Sequence, residues 1–254
     1  TIQDNVITKV QNGLYLRGGG VTFDQNWLVT GNTLGSAVLA DKLSFRGMLI
    51  GNAQSFTVSG NTVLGVTSAT TSTANGIQVA FAVSGGTISG NTISDIKQTN
   101  TGGWGSAGIT LGASNTTAGV TVLNNMIRDV ASFGFNGVGS ADNGYGLVVA
   151  SGGGYSIYAN SIQLGTDQTA AAGITAAVNV LSAVIAPGAI DLRDNILASI
   201  QTVGTRYGVL SSAPAAVFSN INYNDYFAQN VGFLGVAQPT LGAWQTATGQ
   251  DANS

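Results

Sequence analysis

Eleven carboxylates and eight Lys or Arg side chains make up the charged complement of this 254-residue chain, which has no His and no Cys. Every one of the eleven acids is Asp. Ser–His–Asp and Cys–His nucleophilic catalysis are therefore closed to it, and so is a zinc site built from imidazole and thiolate ligands. What remains is carboxylate chemistry and the holding of neutral polar ligands. Asp95 and Asp129 each stand four residues after an Asn in equivalent segments, so they are expected to stack near each other, with Lys97 and Arg128 adjacent. Glycoside hydrolysis needs two carboxylates at a set separation, but a surface salt-bridge cluster accounts for the same four residues more simply. The group Asp191, Arg193 and Asp194 lies within one segment and reads as a solvated strand edge.

A second constellation suits sugars. The stretches 95–108 and 129–146 carry Trp104, Phe133, Phe135 and Tyr145, interleaved with Asn100, Asn136, Asp142 and Asn143. Aromatic faces beside amides and carboxylates can stack on a sugar ring and hydrogen-bond its hydroxyls. The competing reading closes these aromatics over their own loops as a satellite cluster. Thr33, Thr62 and Thr92 also occupy equivalent positions, but Met126, Ser161 and Ile196 break the series, leaving too few for a regular ice- or mineral-binding array. The stretch 67–73, TSATTST, reads as a polar loop able to carry O-linked sugars.

The elements that position these residues are repeats. Aligning on one Asn brings together IQDNVI (Asn5), VTGNTL (Asn32), VSGNTV (Asn61), ISGNTI (Asn91), VLNNMI (Asn125), IYANSI (Asn160) and LRDNIL (Asn195). An aliphatic residue sits three before each Asn and another two after it, and the steps are 27, 29, 30, 34, 35 and 35 residues. A second series alternates with the first, opening on Gly13, Gly47, Gly76, Gly108, Gly146, Gly173 and Gly208. Apolar residues alternate at period two, and strong helix formers are scarce, which excludes helical solenoids. Propeller blades need four strands per unit, more than these units hold. The pattern predicts an all-β, right-handed parallel β-helix of about eight coils, each contacting only its neighbours. At ~4.8 Å per coil the rod would be roughly 38 Å long. The Asn is expected at a bend in left-handed backbone, with its amide stacked in a hydrogen-bonded ladder. Coils are expected over 1–227 and a short aromatic C-terminal cap over 228–254, with helix only at 241–248.

Composition narrows the partners. Net charge is −3 with no basic patch, so nucleic acid has no electrostatic footing. No stretch reaches eighteen apolar residues; the longest candidate, 170–186, is interrupted by Gly173, Thr175, Asn179 and Ser182, so no membrane-spanning helix is expected. No cofactor or metal is implied.

The segments TVSGNTVLGV, TISGNTISDI and IDLRDNILASI resemble the repeats of secreted right-handed parallel β-helix proteins, the pectate-lyase-like superfamily. RYGVL at 206–210, NINYNDYF at 220–227 and TLGAWQTATGQDANS at 240–254 resemble the closing segment of large bacterial β-helix surface proteins. By that resemblance a lyase would show clustered acids for a cation and a Lys or Arg base; nothing here matches a catalytic motif of the family. The expectation is a non-enzymatic structural or adhesive module of an exported bacterial cell-surface or extracellular protein, able to self-assemble. The alternative is a carbohydrate-binding or polysaccharide-processing β-helix using the loops at 95–108 and 129–146. The two ends are expected to differ, the C-terminal side covered by NYNDYF and LGAWQ. The N-terminal side is expected to be open, continuing into further chain or stacking on another copy.

Overall fold

The computed structural model of the protein describes residues 1–135, 143–170 and 172–254. Those residues form a parallel β-solenoid. Strands from successive coils lie side by side in two sheets, one of sixteen strands and one of nine. Among the described residues every strand pairing is parallel except the last, Asn230–Leu234 with Val236–Gln238. The nine-stranded sheet holds the short strands that follow each Asn. The larger sheet holds the two preceding segments of every coil, which run together in Arg46–Ser59 and Ala74–Ser89.

The period-two pattern fills the interior. The aliphatics three before each Asn form one stacked row, Val58, Ile88, Val122, Ile157 and Leu192 among them, and from Val29 onward all are buried. Those two after it form a second, including Leu34, Val63, Ile93, Ile127, Ile162 and Leu197. Each such burial is worth ~1.5–3 kcal/mol, and a one-residue slip would turn the whole row outward.

The Asn ladder is continuous, and it is longer than seven. In every rung the backbone N–H and Nδ2 of one Asn both donate to Oδ1 of the Asn in the next coil, at 2.8–3.1 Å from Asn5 through Asn195. The acceptor for Asn195 is Asn224, an eighth rung, so the ladder bounds seven turns. In the seven rungs from Asn32 to Asn224, Nδ2 also donates to the carbonyl three residues before the preceding coil's Asn; for Asn125 this is Ile88. Asn224 escapes the sequence alignment because Tyr226 fills the position two residues on, where the other coils have an aliphatic.

The left-handed backbone falls one residue earlier than expected. The ladder Asn residues have negative φ; the residue before each is left-handed: Asp4, Gly31, Gly60, Gly90, Asn124, Ala159, Asp194 and Tyr223, with φ of 51–66°. The ladder fixes each Asn through three hydrogen-bonding groups, so the turn is made by its neighbour.

The second glycine series marks close approach. A Cβ on Gly47 or Gly76 would lie 2.5 Å from the carbonyl oxygen of the next coil's Gly. One member is misassigned by the alignment. Tyr145 pairs with Ala176 and Leu147 with Val178, so Ala177, and not Gly173, continues the series between Gly146 and Gly208.

At the C-terminal side the helix Leu241–Thr248 is capped by Thr240, whose hydroxyl accepts from Ala243 N at 3.2 Å, and ends on left-handed Gly249. Trp244 is fully buried over Gly232 and donates to Asp251 at 3.0 Å. The aromatic lid is thus Trp244 with Tyr226; Tyr223 and Phe227, expected to share it, are exposed. Ser254 Oγ accepts from Asn224 N at 2.8 Å, taking the place that the next Asn fills elsewhere in the ladder.

Candidate functional site

Asp95 and Asp129 do stack. Register places Ile96 opposite Val130, so the two aspartates occupy adjacent rungs, and both are left-handed, with φ of 57° and 55°. That conformation favours Asp, Asn and Gly, which gives these residues a backbone reason to be there. Lys97 forms an ion pair with Asp129 and approaches Asp95 at 3.8 Å. Lys97 Nζ also donates to the Asp129 carbonyl at 2.8 Å. Arg128 is exposed and joins no salt bridge among the described residues. Its place is taken by Lys42, which the sequence did not single out. Lys42 crosses Gly65, where an added Cβ would lie 3.0 Å from Lys42 Cγ, and pairs with Asp95. Thr166 donates to Asp129 from the following coil.

The result is an alternating column of charge across several coils. Burial pushes the Asp129 carboxyl up, but hydrogen bonds from Lys97 and Thr166, with the charges of Lys97 and Lys42, outweigh it and hold the group below its ordinary range. A carboxyl held ionised in this way is unsuited to act as a general acid at neutral pH. In the remaining acid cluster Asp191 is paired, while Asp194 is exposed and makes the left-handed turn before Asn195. Arg193 donates to Asp191 at 2.8 Å from Nε and from its terminal nitrogen, and Tyr158 donates to Asp191 at 2.6 Å.

The aromatic candidates separate. The two loops do meet, since a Cβ on Gly103 would strike the Phe135 ring at 2.7 Å. Phe135 is exposed and Trp104 half-buried. Tyr145 is wholly buried among Ala107, Val148, Ile174 and Ala176, so it is core and offers no stacking face. It alternates outward from the solenoid interior, into the separate buried cluster on the outer face of the sheet. Asn136 and Asp142 lie outside the described residues. Asn143 is buried and braces the loop, accepting from Phe135 N at 2.5 Å and donating to Phe135 O at 2.9 Å. Gln168 links this brace to Gly144 N at 2.6 Å and to Ser132.

Phe133 lines a groove of about 260 Å³ with Lys97, Gln98, Thr166 and Asp167. Asp167 is held by Thr202, whose N–H and hydroxyl donate at 2.7 and 2.5 Å; these bonds lower its pKa. Among the described residues no three His, Cys, Asp or Glu side chains gather to hold a metal ion, and no helix is long and apolar enough to cross a membrane.

The fold and these contacts define a parallel β-solenoid with an internal Asn ladder. No protein-family model, curated protein or solved structure matches the chain.

Proposed function

We propose that this chain is a rigid, non-enzymatic structural or adhesive module of an exported bacterial cell-surface or extracellular protein. The observation that carries the reading is the unbroken eight-rung ladder, which ties every turn of the stack to the next through buried amides. Stacked coils with nearest-neighbour contacts make a spacer whose length scales with coil number. The resemblance of the repeats to the pectate-lyase-like superfamily supports export, and the sparse surface charge supports close packing of such modules. Replacing the segment in its parent protein by an unrelated β-solenoid of equal coil number tests this. Surface display should persist. Attachment that persists with it makes the segment a spacer, attachment lost with display intact makes it the adhesive surface, and loss of display overturns the reading.

The Phe133 groove favours a second reading, in which the module binds carbohydrate. Its aromatic wall and its amide, hydroxyl and charged side chains suit a glycan edge. Glycan-array binding lost in Phe133→Ala supports it; an array without signal removes it.

A further inference from the structure

Strand register assembles rows that no single repeat position reveals. In the segment of the sixteen-stranded sheet just before each ladder Asn, the buried residues Val58, Ile88, Val122 and Ile157 alternate with outward hydroxyls. Thr57, Thr87, Thr121 and Ser156 are successive register partners. Two residues further on, Thr30, Ser59 and Ser89 form a second row. Beyond the left-handed turns at Gly31, Gly60 and Gly90, Thr33, Thr62 and Thr92 pair in the nine-stranded sheet as a third. The row too short by itself is therefore one of three, and ten hydroxyls fall on five consecutive coils.

The block is uncharged and regular. Counted from the N-terminal side, no charged side chain enters the three rows before Asp191, Arg193 and Asp225. The pairing carries no bulge within the block; the irregularity between the two long strands lies outside it, between Gly51 and Ala53. All ten side chains are half-buried, so their outer ends reach solvent. Ser59 donates to Thr30 at 3.4 Å, and among the described residues the other eight hydroxyls make no hydrogen bond to protein. Their hydrogen-bonding capacity is directed at what lies outside.

The spacing states what would fit. Successive hydroxyls in a row are one strand spacing apart, ~4.8 Å. Waters hydrogen-bonded at ~2.75 Å in a tetrahedral network place second neighbours ~4.5 Å apart, so each row runs nearly in step with ordered water. An ion finds no counter-charge here, and an isolated small ligand has no use for a repeat over five coils. We propose that this face binds the surface of ice, each hydroxyl holding one water of the lattice while the threonine methyls fill the gaps between them. The proposal is independent of the spacer role and of the Phe133 groove.

Growing an ice crystal slowly in a dilute solution of the fluorescently labelled full chain tests it. The protein should be taken up into the ice and should restrain recrystallisation. Thr87→Tyr, which raises one side chain above the middle of the block, should demand at least a tenfold higher concentration for the same restraint. Cross-strand Thr pairs also stabilise sheets, so thermal melts accompany each variant. Thr57→Val combined with Thr87→Val, which keeps the shape and removes two hydroxyls, should weaken uptake even if the larger ring disturbs the coil. Val203→Tyr, in the turn beyond the nine-stranded sheet, should leave uptake intact. Exclusion of the unaltered chain from ice overturns the proposal. So does uptake that survives both threonine variants, uptake lost equally in Val203→Tyr, or binding to crystalline cellulose or chitin in place of ice.

Discussion

Asn125 bonds to three successive coils. Its Oδ1 accepts from Asn91 N and Nδ2 at 3.0 and 2.9 Å, and its Nδ2 donates to Asn160 Oδ1 and Ile88 O at 2.9 Å each. Asn125→Ala strands several buried groups at ~1–3 kcal/mol each, so a loss of about 3 kcal/mol or more is expected in chemical denaturation. Asn5 is exposed and donates only to Asn32 and Gln3, and Asn5→Ala should cost about 1 kcal/mol or less. Equal losses would mean that the ladder does not act as a continuous unit. Position in the ladder was legible in the sequence because one residue type recurs at one phase; which backbone atom bends was not, since Gly precedes Asn in only three coils. The charge column was half legible. Asp95 and Asp129 share a repeat position, whereas Lys42 reaches Asp95 across a coil that has only Gly65 in the way. Asp129 also sets an acid limit. Its folded pKa lies below the unfolded value of ~3.9, so its contribution is complete above about pH 4 and is lost as pH falls through the folded value. Its side chain is 39% exposed, which moderates the effect. Asp129→Asn should flatten the fall in melting temperature below pH 4; an unchanged slope would remove Asp129 as its source.

At the scale of the element, the turn before each Asn sets the rules. Left-handed backbone costs a residue with Cβ roughly 1–2 kcal/mol, yet Ala159 and Tyr223 adopt it with φ of 51° and 58°. Ala159→Gly should therefore stabilise the protein by about 0.5–1 kcal/mol, the relief being partly offset by the entropy of the unfolded Gly. The reverse change, Gly60→Ala, should destabilise by about 1 kcal/mol from conformation alone, because nothing lies within 4 Å of the added Cβ. Paired thermal melts measure both. If Ala159→Gly lowered the melting temperature, strain at this turn would not be the controlling factor. The strands themselves were legible from period two and the helix from LGAWQTAT. The strand register was less so, because Ala177 does the work of a glycine in one coil and GITA at Gly173 mimics the motif four residues early.

For the whole molecule, the decisive property is one-dimensionality. Each coil is stabilised by its two neighbours, so a lesion at one end should fray that end before it unfolds the middle. Trp244 is the sharpest place to test this. Its indole is fully buried against Gly232 and donates to Asp251, which also accepts from Tyr226 at 2.5 Å. Asp251 in turn hydrogen-bonds Ser254, the acceptor that closes the ladder at Asn224. Trp244→Ala opens a large cavity and removes one of the two donors to Asp251 Oδ2, a lesion of about 3–5 kcal/mol. In a globular core of one cooperative unit, that cost would fall on every residue. In this stack it should fall on the last coils. Hydrogen exchange should quicken at Ile221, Tyr226 and Gly232 in the variant, while amides of the central ladder, at Asn91 and Asn125, keep their protection. Uniform loss of protection from Asn32 to Asn224 would show that the solenoid unfolds as a single unit despite its nearest-neighbour architecture.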